Sequence, residues 1–80
     1  MYKRRIDIGK MNIIGVHVST IRQSLGMSQK ELLIKLQEYG LNLSPTSISR
    51  IEGQHRQVFD FELLAFAEVL DVNIKTLFGA

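Results

Sequence analysis

Ser44 to Gly53 reads SPTSISRIEG, and this decapeptide decides how the rest of the chain is read. Ser44 is placed to accept from the first unpaired backbone N–H groups of a helix, and Pro45 at the first helical position sacrifices no useful donor. Leu43 before the cap and Ile48 inside it form a hydrophobic staple. At the helical period Ile48, Ile51 and the stem of Glu52 share one face, while Thr46, Ser49 and Arg50 share the other, with Ser47 at its edge. The outer face is short, rich in hydroxyls and carries one guanidinium. Such side chains reach base edges and phosphates, although a small helix with a merely solvated polar face has the same pattern.

Outward from this stretch, the spacing predicts four more helices. N-terminal to it, Ser28 and Glu31 form a capping box, Met27 staples to Leu32, and Leu32, Leu36 and Tyr39 mark a buried face ended by Gly40. Before that, Ile14, Val18, Ile21 and Leu25 make one apolar stripe over about 12–25, stopped by Gly26. Arg22 lies beside that stripe and would need an acidic partner if half-buried. On the C-terminal side, GQHRQVF (53–59) is a polar loop with Gln54, His55 and Arg56, either a phosphate grip or a plain turn. A stripe of Leu63, Phe66, Ala67 and Leu70 follows over 60–70. Asn73 then caps a short last helix ending near Phe78, with Leu77 in its core. No segment alternates long enough to require a sheet, so the expected fold is all-α, five short helices around one core.

Composition narrows the function. Eighty residues make one domain at most, without cysteine and with only two histidines, His17 and His55, far apart in the sequence. Thiolate metal sites and disulfides are excluded, and no cofactor or metal is expected. No histidine is paired with a nucleophile at a suggestive spacing, and there is no glycine-rich phosphate loop, so an enzyme is not the expectation. No apolar run reaches the length of a membrane span, which makes a cytoplasmic protein the default. The net charge of +2 is small but unevenly spread. Lys3, Arg4, Arg5, Lys10, Arg22 and Lys30 face only Asp7 in the first thirty residues. Asp60, Glu62, Glu68 and Asp71 outnumber Lys75 after Arg56. A basic pole can face a polyanion. Residues 1–11 read as a basic arm able to follow phosphates or a minor groove, or as a solubilising tail, and 12–80 as the folded domain.

Four pieces in this order resemble the helix-turn-helix DNA-binding domains of the lambda-repressor and Cro (XRE-type) family: IGVHVSTIRQSLGMSQKELL (14–33), SISRIE (47–52), FELLAFAEVL (61–70) and DVNIKTLF (71–78). The resemblance implies that the second and third helices form the helix-turn-helix and the third enters the major groove. By position it implies base contacts from Pro45, Thr46 and Arg50, with Ser49 an adaptable base contact and Ser47 beside it on phosphate. Gln29 would anchor to the phosphate backbone, Gln54, His55 and Arg56 would grip it further on, and Arg22 and Glu52 would form a structural ion pair. The implied function is a bacterial or phage transcriptional regulator, a repressor that binds a palindromic double-stranded operator as a homodimer. Three departures stand out: a longer stretch from Gln37 to Leu43 before the third helix, Pro45 where relatives often carry glutamine, and Gly53 directly after Glu52 where they often have glycine one place later. A second class fits the same fold, a protein-interaction or antitoxin-type adaptor using the acidic 60–70 helix with Leu77 and Phe78.

Overall fold

A computed structural model describes residues 10–79. The basic triplet Lys3, Arg4 and Arg5 lies outside the described residues. Five helices follow in order: α1 (Gly15–Ser24), α2 (Gln29–Tyr39), α3 (Pro45–Glu52), α4 (Asp60–Leu70) and α5 (Ile74–Leu77). The architecture is all-α, without strands among the described residues. None of these helices is long and apolar enough to cross a membrane. Helix α2 packs on α4 and α3, α1 packs on α3, α4 and α5, and α4 also packs on α5.

The core joins all five helices. Ile14 and Val18 meet Leu32 and Leu36 from α2, Ile48 and Ile51 from α3, Phe66 and Leu70 from α4, and Leu77 from α5. Phe66 is the largest fully buried side chain. Burying a residue of this class contributes about 1.5–3 kcal/mol, so a core this small needs each of them.

The helix starts use local signals. Ser28 Oγ accepts from Glu31 N at 3.0 Å while Glu31 accepts from Ser28 N at 2.8 Å. Ser44 Oγ accepts from Ser47 N at 3.1 Å, with Pro45 first in the helix. Asn73 Oδ1 accepts from Lys75 N at 2.9 Å. Helix α1 starts later than its apolar pattern suggests. Asn12 caps from outside, accepting from Gly15 N at 2.8 Å across a first bend.

Four helices end alike. A left-handed residue reverses the chain, and the next N–H bonds back to a carbonyl five residues earlier: Met27 to Arg22, Leu41 to Leu36, His55 to Arg50 and Val72 to Ala67. The left-handed residues are Gly26 (φ 68°), Gly40 (φ 112°), Gln54 (φ 63°) and Asp71 (φ 56°). This closure overturns two core assignments. Leu25 and Tyr39, expected on buried stripes, are 55% and 46% exposed. The residue after each glycine, Met27 or Leu41, folds back onto the core instead. Helix α2 itself runs to Tyr39, so the connection to α3 is only Gly40 to Ser44.

Helices α1 and α3 approach so closely at Gly15 that a Cβ there would run into the Ile51 carbonyl oxygen. Backbone, unlike a flexible side-chain tip, cannot move aside cheaply. Gly15→Ala is therefore expected to cost about 1–3 kcal/mol by overpacking. At Gly26 a Cβ meets open space, and alanine costs only the left-handed backbone, about 1 kcal/mol. Urea unfolding of both variants checks the pair; a Gly15→Ala loss no larger than that of Gly26→Ala would contradict the close approach.

Candidate nucleic-acid interface

Helix α3 is anchored from beneath and open outward. Ile48 and Ile51 are buried, whereas Pro45, Thr46, Ser49 and Arg50 are exposed and Ser47 is half-buried. Ser44 and Ser47 link their hydroxyls at 3.1 Å, beside the cap. Arg50 reaches the His55 carbonyl with one nitrogen at 3.4 Å, a long bond that leaves most of its guanidinium donors free. Exposed Lys30 stands at the start of α2 next to Gln29.

The far end of α3 is held by Glu52. Its Oε2 accepts from Arg22 Nε at 2.8 Å, and its Oε1 accepts from an Arg22 terminal nitrogen at 3.0 Å. Arg22 also donates to the Met27 carbonyl at 2.8 Å. The pair is nearly closed to solvent, with side-chain exposures of 11% and 7%. Hydrogen bonding to Glu52 raises the Arg22 pKa against the opposing cost of burial. Arg22 therefore ties α1 to α3 through a two-pronged contact and is not available to a ligand.

Gln29 is engaged as well. Its Nε2 donates to Glu52 Oε1 at 2.9 Å, and its Oε1 accepts from Ser49 Oγ at 3.2 Å. Expected on phosphate, this amide keeps one hydrogen for that purpose and commits the other, with its oxygen, to α3.

The loop after α3 does not present Gln54, His55 and Arg56 together as a phosphate grip. Gln54 is a structural residue: its Nε2 donates to the Asn12 carbonyl at 3.0 Å and its backbone is the left-handed turn. That turn falls two places after Glu52, so Gly53, with an ordinary φ of −83°, is not the residue that requires it. His55 is exposed, and its ring lies against Gly53. Arg56, assigned to phosphate alongside it, is turned inward. It meets both oxygens of Glu62 at 2.9 and 2.8 Å and donates to the Gln57 carbonyl at 2.9 Å. Glu62 is thus not part of an acidic outer surface but is 2% exposed. A buried carboxylate is tolerated here because Phe59 N also donates to it at 3.0 Å.

Two further residues position the site without an obvious local signal. Asn12 Nδ2 donates to the Ile51 carbonyl at 3.0 Å and the Arg56 carbonyl at 2.8 Å, clamping the exit of α3 to the entry of α1. Gly15 permits the approach that makes this possible. An asparagine three residues before a glycine at a helix start is readable as a cap, but its partners 39 and 44 positions away are not.

No family model and no curated protein matches the sequence. A crystal structure of the restriction-modification controller protein C.AhdI from Aeromonas hydrophila matches this one with a TM-score of 0.71 and 25% identity, covering 81% of this chain and 91% of that one. The two chains share a fold. In this chain, α2, the short turn and α3 form a helix-turn-helix whose second helix has a solvent-facing polar side.

Burial pushes the Glu62 pKa up, but the Arg56 hydrogen bonds, the Phe59 N–H and the Arg56 charge together hold it below the ordinary carboxylate range. A depressed folded pKa gives stability that is present above the unfolded value of about 4.3 and is lost as pH falls through the folded value. Glu31, held low by the Ser28 N–H and then its hydroxyl, acts in the same direction, so the Glu62 share is read as a difference. Glu62→Gln is expected to lower stability by about 1–3 kcal/mol at pH 7 and to flatten the loss below about pH 4. Denaturant titrations of both proteins between pH 7 and pH 2.5 measure this; parallel pH curves would contradict it.

Proposed function

We propose that this protein is a sequence-specific double-stranded DNA-binding regulator that reads the major groove with α3. The single observation that carries the reading is the α3 surface. Exposed Thr46, Ser49 and Arg50 share one face, while the opposite face is locked by Ile48, Ile51 and the Glu52 contacts. A reading helix must present donors and acceptors from a rigid frame, because base discrimination depends on hydrogen-bond geometry. The shared fold with a restriction-modification controller protein supports the same class of function.

Arg50 supplies the bidentate contact to guanine O6 and N7, and Pro45 and Thr46 approach neighbouring base edges. Ser47, His55 and the remaining Gln29 hydrogen contact phosphates. Arg22, Gln54 and Arg56 serve the frame. The regulator binds as a homodimer to a palindromic operator, its half-sites about 34–36 Å apart, and represses by occupancy. Exposed aromatic side chains favour self-association: Phe59 and Phe61 stack with centroids 5.6 Å apart and are 53% and 58% exposed, and Phe78 is 43% exposed. The same surface suits the adaptor reading, which would use these aromatics rather than the buried Glu62 and Leu77.

Selection from random duplexes, followed by titration of the enriched sequence at two salt concentrations, tests the proposal. A palindrome with guanine at a fixed place in each half-site is expected, with affinity falling steeply as salt rises. Arg50→Ala should cost about 1–3 kcal/mol on the best site and relax the guanine preference. No enrichment would contradict the DNA-binding reading and favour the adaptor; an Arg50→Ala variant with unchanged affinity and preference would overturn the assignment of Arg50 to guanine.

A further inference from the structure

The chain of hydrogen bonds from Glu52 to Ser49 fixes what Ser49 can offer a ligand. An ionised carboxylate has only acceptors, and Glu52 Oε1 stands 2.9 Å from the Gln29 amide nitrogen. The reverse amide orientation would set carbonyl oxygen against carboxylate oxygen, so the neighbouring group decides which end of Gln29 points where. Arg22 holds Glu52 by two more bonds, which prevents the carboxylate from turning away. Gln29 Oε1 therefore faces Ser49, whose Oγ lies 3.2 Å off. An amide oxygen cannot donate, so the hydrogen between them is the serine's. A serine hydroxyl has one hydrogen. With it committed to Gln29, exposed Ser49 presents lone pairs alone.

We propose that Ser49 is a specificity-determining residue that acts in the major groove as an acceptor only, selecting a base whose edge carries an amino group, adenine N6 or cytosine N4. Guanine and thymine offer acceptors there at N7, O6 and O4, and phosphate oxygens are acceptors too, so each would meet lone pairs with lone pairs. Gln29 and Glu52 are positioning residues for this contact, Gln29 by taking the hydrogen and Glu52 by orienting Gln29. The inference rests on the DNA-binding reading of α3.

The test uses the full chain and the enriched duplex. All four bases are placed in turn at the position most sensitive to Ser49→Ala, and the affinities are compared by competition. The wild type should prefer adenine or cytosine over guanine or thymine there by about fivefold to tenfold, and Ser49→Ala should abolish that preference. Gln29→Leu, which removes the amide while leaving Arg22 on Glu52, frees the serine hydrogen. It should shrink the preference to less than about twofold because the hydroxyl can then donate to guanine or thymine. A Gln29 that served stability alone would weaken every duplex equally and keep the order of bases; that result overturns the proposal. So does a Ser49→Ala that weakens all sequences alike, the mark of a contact to phosphate rather than to a base. Thermal melting confirms that each variant is folded, and Ser49→Ala, at an exposed position, decides the matter alone if Gln29→Leu is not. Absence of any sequence-dependent binding by the wild type overturns both this inference and the function on which it rests.

Discussion

The Glu52 carboxylate receives Arg22 from α1 and Gln29 from α2 while standing on the last turn of α3. Three helices thus meet at two oxygen atoms. Removing one partner of a nearly buried charge pair typically costs about 3–5 kcal/mol, because the survivor stays desolvated. That sensitivity is also what makes the contact specifying, since few other placements of α3 would satisfy all three donors. Beneath it, the Gly15 approach and the Asn12 clamp hold the backbone of Ile51 against α1. The outer side of α3 can therefore be polar and unsupported by its own packing.

Formal charge is a poor guide to this surface, because the arginines do different work. Arg22 and Arg56 are each forked onto a glutamate and neutralised inside the fold. Arg50 keeps most of its donors, and Lys30 stands exposed at the start of α2. The C-terminal half, acidic by count, loses Glu62 to the interior and exposes phenylalanines in its place. A net charge of +2 conceals that rearrangement.

Much of the fold was legible because its signals are local. Ser28 with Glu31, Ser44 with Pro45, and Asn73 each start a helix through atoms within a few residues of one another. Gly26 and Gly40 end helices where glycine is the natural left-handed residue. Gln54 and Asp71 perform the same reversal without being glycine, so composition does not reveal them. Leu25 and Tyr39 were misplaced because a periodic stripe has no knowledge of where the chain folds back. The outward face of α3 was readable from its period alone. The commitments of Gln29, Gln54 and Arg56 were not, because their partners belong to other segments whose approach only tertiary packing determines.

The most direct test of α3 as the reading helix is a titration of the isotope-labelled protein with an enriched duplex, followed by backbone amide resonances. The account predicts the largest shifts at Thr46 to Arg50, with Gln29 and His55 next and Phe59 to Leu64 nearly unmoved. Shifts concentrated on the Phe59, Phe61 and Phe78 surface, with α3 silent, would contradict it.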